Sequence, residues 1–504
     1  MLQIKKVALS IAVALASTQV GAFILPEHQT DSDWYKASEQ KLDSQLEQSP
    51  NMAAKNVVVF FANGMGGSTL TAARIHEAQL KGEEYGEENS LAFEDFADTG
   101  LIKSYNTNQQ VADTAGSMTA MTTGVKTKAG IVALTDNVDR GDCDIQNEKL
   151  HTLLELATHQ GKATGIVSTG RVTHASVAPL YAHTSNRDWE SAVSAECEGQ
   201  VSDIAYQLVH EAAPVNVVLG GGLREFIPKS ANGRRNDGDL TKDWTERFGA
   251  NSMFLNSRDD FDRTNFSDSD RVLGLFNDSH LSYEVDRNPD EEPSLSEMTE
   301  AALELLTNNE RGQNSGFFLS VSASRISHGH QAGNAARALT ETIALSEAVE
   351  IAQQYLHDNG LLEDTLLLVA SDHSYTMSIG GFGARGNSIL GISETYDGQG
   401  LDGAADAMDG FSYTTLAYAN GPGAQFTRDD SGNRVDPATQ DTLDIDYLQQ
   451  ATVPLAESTS AGEDVPVFAT GPRSYLVRGT SEQNSIFHII NQAAELGAQA
   501  YTAK

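Results

Sequence analysis

Asn56-Val57-Val58-Val59-Phe60-Phe61-Ala62-Asn63-Gly64-Met65-Gly66 is the stretch whose reading decides the architecture. The apolar run from Asn56 to Phe61 has no polar alternation. It is therefore expected as a strand buried on both faces, the habit of parallel sheets covered by helices. Residues 63–66 read as a turn and residues 68–79 as a helix. The same rhythm recurs, with strands expected at 162–168, 215–219, 317–321 and 366–370, and helices at 150–159, 294–306 and 335–356. Such alternation predicts a doubly wound α/β fold, a mostly parallel central sheet with helices on both faces. Ligands in these sheets sit beyond the carboxyl ends of the strands. Asn63, Arg171, Ser322 and Asp372 all fall just past an expected strand end, which predicts one shared site.

The 504 residues, 39% of them hydrophobic, can bury a large core. Residues 23–504 are expected as one domain carrying an Asp/Asn/Arg-rich insertion at about 228–270. A loop-rich subdomain is expected at about 378–450, placed to cover the site or to meet another subunit. Residues 1–22 read as an export signal: Lys5 and Lys6, an apolar run over 7–16, and Val20-Gly21-Ala22 as a small-residue cleavage pattern. The alternative is a buried first helix. No second run reaches the about 18 apolar residues of a membrane helix. The expectation is a soluble protein, periplasmic or secreted. A net charge of −36 repels nucleic acid and anionic lipid. Those partners are not expected, and phosphate or another small anion needs a local positive site. Cys143 and Cys197, an even pair in an oxidising compartment, suggest one disulfide, with two buried free thiols as the alternative.

Seven segments carry chemistry-bearing residues in order over 53–475. They are Asn63–Thr69, Asp113–Thr119, Arg171-Val172-Thr173-His174-Ala175-Ser176, Asn186-Arg187-Asp188-Trp189, Arg325–His330, Ser371-Asp372-His373-Ser374 and Gly462-Glu463-Asp464. Together they resemble the metal, nucleophile and phosphate-clamp segments of the alkaline phosphatase family. That resemblance implies a hydroxyl nucleophile attacking phosphorus and two zinc ions about 3.5–4 Å apart. It also implies a magnesium ion on oxygen ligands and an arginine forked onto phosphate. By this resemblance Thr114 stands at the nucleophile position, where serine is usual, and also reads as a helix N-cap. Arg187 is the clamp. Asp372 and His373 belong to the second zinc site, and Ser176, with His174 nearby, to the magnesium site. Cys143 and Cys197 fall where many members have a disulfide, and a homodimer is expected.

Several positions depart from that pattern. The bridging aspartate position is Asn63. The ligands of the first zinc site are replaced by Ser327, Gln331 and Ser460, and a magnesium carboxylate by Ser322. Neutral serine, glutamine and asparagine are poor zinc ligands beside imidazole or carboxylate. The full set of two zincs and a magnesium is not expected; one zinc or magnesium on Asp372 and His373 is the most the residues suggest. His328 and His330 either chelate a metal as a His-X-His pair on a turn or simply pack. The expected function is an exported pseudo-phosphatase with a residual phosphate or anion pocket. The alternative is an active phosphate monoester hydrolase using Thr114 with a reduced metal set. A sulfatase is disfavoured, because Thr114 is not the cysteine or serine those enzymes modify.

Overall fold

A computed structural model describes residues 24–46, 53–249, 251–396 and 401–497. Ten strands form the central sheet: β1 (Asn56–Ala62), β2 (Asp98–Lys103), β3 (Ala163–Arg171), β4 (Val217–Gly221), β5 (Ser252–Leu255), β6 (Arg271–Leu275), β7 (Phe317–Ser322), β8 (Thr365–Ser371), β9 (Val465–Thr470) and β10 (Gly479–Glu482). Their order is β10-β2-β9-β8-β1-β7-β3-β4-β6-β5. β9 runs antiparallel to β2 and β8, and every other neighbouring pair is parallel.

All seven residues of β1 are buried, and they divide between two cores. Val57, Val59 and Phe61 pack with Met118, Met121 and Phe487 on one face. Val58 and Phe60 pack with Ala72, Leu303 and Leu339 on the other. Burying one such side chain fully is worth about 1.5–3 kcal/mol, so a continuous apolar run is stable only in this two-faced position.

The helices that frame the strand ends are α1 (Gly67–Leu80), α2 (Thr114–Thr123), α3 (Leu295–Asn308), α4 (Arg325–Gln331) and α5 (Ala335–Asp358). α3 begins with a capping box between Ser294 and Glu297. The helix expected over 150–159 starts only at Leu153, because Thr152 and Glu155 close a capping box there. Residues 228–270 hold a helix over Leu240–Phe248, a second over Arg258–Arg263, and β5, the sheet's edge strand. The segment expected as loop-rich contributes strands Met377–Ile379 and Leu416–Gly421 to a three-stranded sheet completed by Ala451–Pro454. The export signal expected over 1–22 lies outside the described residues. Among those residues no helix is long and apolar enough to cross a membrane.

Candidate active site

The expected site residues gather at the carboxyl end of the sheet. Asn63 and Asp372 follow the ends of β1 and β8, while Ser322 is the last residue of β7. Gly64 turns the chain with φ +90; a Cβ there would stand 2.8 Å from the Tyr375 ring and 3.2 Å from the Ser327 Cα. Only glycine meets both demands.

Asp372 is fully buried, and protein donors surround its carboxylate. Oδ1 accepts from the Gly64 N–H at 3.0 Å and from the His373 N–H at 3.0 Å. Oδ2 accepts a short hydrogen bond from the Asn63 side-chain amide. His373 Nδ1 lies 3.0 Å from the same Oδ2, but it is not aligned for a hydrogen bond. An aspartate at residue 63 could not make the donor contact. The asparagine therefore fits its partner as an amide that neutralises nothing and donates one proton.

Thr114 opens α2 but is not its N-cap. Asp113 holds that position, accepting the Gly116 N–H at 2.9 Å, because a carboxylate on the preceding residue reaches the third helical N–H. The same carboxylate takes the Gly130 N–H at 3.0 Å and Arg187 Nη1 at 3.2 Å. Arg187 Nη2 donates to His174 Nε2 at 3.1 Å. Arg187 is thus strung between Asp113 and His174, beside the positive end of a ten-residue helix. His174 is held well below the usual histidine range, first by burial and then by the charge of Arg187. It therefore accepts as a neutral ring.

Four serine hydroxyls occupy the expected magnesium region. Ser324 Oγ lies 2.7 Å from Ser176 Oγ, 3.0 Å from Ser168 Oγ and 3.0 Å from Ser322 Oγ, all buried. Ser176 Oγ is also 3.0 Å from His174 Nδ1. Ser168 and Ser324 went unnoticed in the sequence, where isolated serines beside strand ends carry no distinguishing pattern. The hydroxyls satisfy one another and bring no negative charge.

The positions of the first zinc site converge around Tyr375, another residue the sequence did not flag. Ser460 pairs with Tyr375 in a short antiparallel ladder, and the Gln331 side chain lies beside the Tyr375 hydroxyl. Ser327 Oγ donates to the Ser324 carbonyl at 2.9 Å. The Tyr375 ring stacks on His330 with centroids 5.2 Å apart and lies 5.3 Å from His373. His330 has both nitrogens engaged, one with Tyr418 Oη at 2.8 Å and one with Thr69 Oγ1 at 3.0 Å. Burial pushes its pKa down to about 3.

The turn expected at His328 and His330 is a helix. Both lie on α4, and side chains two residues apart on a helix do not face each other. His328 turns instead toward Arg325, with Nδ1 3.3 Å from Nη1. Tested against the zinc and magnesium set of the resemblance, these residues do not fit it. Among the described residues no group of three or more His, Cys, Asp or Glu side chains is placed to hold a metal ion.

A family model described as alkaline phosphatase matches residues 54–496. The chain belongs to the alkaline phosphatase family. It is 37% identical to the tissue-nonspecific alkaline phosphatase of Gallus gallus, over 96% of this chain and 93% of that one. It is 36% identical to an alkaline phosphatase of Gadus morhua, over 94% of this chain and 98% of that one. Among solved structures, the alkaline phosphatase of Thermus thermophilus superposes with a TM-score of 0.63 at 24% identity, covering 90% of this chain and 94% of that one. The enzyme of the Antarctic bacterium TAB5 gives 0.60 at 21% identity, covering 88% and 99%. At those identities the two structures speak for the fold.

In this alkaline phosphatase-family chain, Cys143 and Cys197 are disulfide-bonded across 54 residues. Cys197 sits in a small core with Ile131, Leu134 and Trp189, with Cys143 packed against it. That core braces the loop bearing Arg187, whose backbone N–H bonds the Gly130 carbonyl at 2.9 Å. Closing a loop of this length removes about 4 kcal/mol of unfolded-state freedom in the chain-entropy account. Reduction is expected to lower the melting temperature by several degrees, read by differential scanning fluorimetry with and without a phosphine reductant. Superimposable melts would mean that the bridge contributes nothing.

Proposed function

We propose that this protein is an exported member of the alkaline phosphatase family that has kept the phosphate-holding half of the site and lost the two-metal half. The observation that carries this reading is the Asn63 amide clasping Asp372. A neutral donor fills the place where a shared carboxylate would join two cations. The serine network at Ser322 and Ser324 and the neutral cluster of Ser327, Gln331 and Ser460 point the same way. Arg187, the Thr114 hydroxyl and the start of α2 remain to hold a phosphate group. Without metal charge to stabilise the developing negative charge, several kcal/mol of transition-state stabilisation are missing.

The second reading is a phosphate monoester hydrolase in which Thr114 attacks, with one metal on Asp372 and His373. Kinship favours it, since the relatives named above are alkaline phosphatases over nearly their whole length. The chemistry of this chain's own residues favours the first. Exposed Phe382, Met408 and Phe426 in the region 378–450 suit the homodimer implied by the family.

One preparation separates the readings. After soaking in zinc and magnesium, the protein is expected to hold no stoichiometric zinc and to hydrolyse an aryl phosphate at a rate unchanged by Thr114→Ala. In chelator it is expected to bind inorganic phosphate by calorimetry, with affinity falling about 10-fold or more in Arg187→Ala. Stoichiometric zinc with turnover lost in Thr114→Ala would establish the hydrolase instead.

A further inference from the structure

Beyond Arg187, a second arginine stands in the site, with no counterion among the described residues. The guanidinium of Arg325, the first residue of α4, stacks over the Tyr283 ring with its carbon 3.6 Å from the centroid. Nη1 is 3.3 Å from His328 Nδ1. Nε is buried with no partner among the described residues. Neighbouring arginines are different: Arg171 is paired with Glu190 at 2.7 Å, Arg224 with Glu225 at 3.0 Å and Arg337 with Asp286 at 2.8 Å. The buried carboxyl nearest in influence is Glu341, which accepts the Glu284 N–H at 2.6 Å and makes no ion pair with Arg325.

A wall of three imidazoles joins this cation to the phosphate clamp. The His174 and His328 rings lie 5.5 Å apart, and His280 lies 5.4 Å from the first and 4.1 Å from the second. Each has a nitrogen facing an arginine: His174 faces Arg187, His280 faces Arg171, and His328 faces Arg325. The rings therefore act as acceptors and add no negative charge. A half-buried cation without a counterion is costly. It is more conspicuous in a chain of net charge −36. The aromatic face holds the guanidinium plane fixed; Nη1 already meets His328 and Nε is buried, so Nη2 is the donor left to meet an oxyanion.

Resting on the reading of Arg187 as a phosphate holder, we infer that Arg325, with His328 beside it, is a second anion subsite. The ligand is then a small molecule carrying two anionic groups on one scaffold, a phosphate at Arg187 and a second phosphate or carboxylate at Arg325.

Two probes with a common scaffold test this: fructose 6-phosphate and fructose 1,6-bisphosphate, titrated calorimetrically into the full chain in chelator. The bisphosphate is expected to bind about 10-fold or more tightly than the monophosphate. Arg325→Ala is expected to abolish that ratio and leave monophosphate affinity unchanged, whereas Arg187→Ala weakens both. Should Arg325→Ala fail to fold, Arg325→Gln, which keeps the stem, serves the same purpose, and the wild-type ratio stands independently. Equal affinities for the two sugars in the wild type overturn the second subsite while leaving the phosphate-holding reading intact. A tenfold ratio undiminished in the Arg325 variants overturns it as well. Failure of both sugars and of inorganic phosphate to bind removes the phosphate-holding reading and this inference with it.

Discussion

Asn63→Asp, Ser322→Glu, Ser327→Asp, Gln331→His and Ser460→His introduced together are expected to give a zinc-binding phosphatase. Hydrolysis of an aryl phosphate should rise by about 10³-fold or more over the parent protein. The substitutions return three carboxylates and two imidazoles to positions that hold neutral groups. Each carboxylate restores a strong Coulomb attraction for a doubly charged cation in a buried site. The fold does not have to change, since Ser460, Gln331 and Ser327 already converge on one place around Tyr375. The Tyr375 ring is the obstacle, because it stacks on His330 and stands against Gly64. Tyr375→Ala in the five-substitution background is therefore expected to raise zinc occupancy further. Metal analysis and steady-state rates on the same samples read both effects. A parent protein that already turns over as fast as the variant would show that these positions are not what separates it from a two-metal enzyme.

The fold was readable because its decisive strands are buried on both faces and so appear as unbroken apolar runs. β1, β3, β4, β7 and β8 all announced themselves this way. β2 did not: its residues alternate buried and exposed, and Asp98, Thr99 and Lys103 leave no long apolar run. β9 follows the polar Gly462-Glu463-Asp464 turn and owes its place to antiparallel pairing with two distant strands, which local sequence does not encode. In the site, Asn63, Arg187, Asp372 and Ser176 were recognisable because they lie inside well-matched segments. Tyr375, Ser324, Arg325 and His280 were not singled out, since their roles arise from packing between elements far apart in the chain. Of the two readings open for His328 and His330, the chelating pair presupposed a turn; a helix of seven residues stands there instead, and two-residue spacing means different things in the two.

Glu341→Gln is expected to make the protein more stable in alkaline solution, by on the order of 5 kcal/mol at pH 9. Glu341 lies on α5 with 2% of its surface exposed. Its carboxyl pKa is pushed up to about 8, chiefly by burial, against the lowering effects of the Glu284 N–H and Arg325. In the unfolded chain the same group ionises near 4.5. Between those values the folded protein holds a proton that the unfolded chain has released. Stability from this group is thus fully present below about pH 4.5 and lost as pH rises through about 8. Glutamine keeps an acceptor oxygen for the Glu284 N–H and never ionises. The difference in melting temperature between variant and parent should accordingly be small at pH 5, grow through pH 7 and level off above pH 8. Parallel pH profiles would mean that Glu341 is charged in the native state at neutral pH. In that event Arg325 would already have a negative neighbour, and the case for an anion from solution at Arg325 would weaken with it. The stability profile of one buried carboxyl therefore bears on how many charges the ligand of this site must bring.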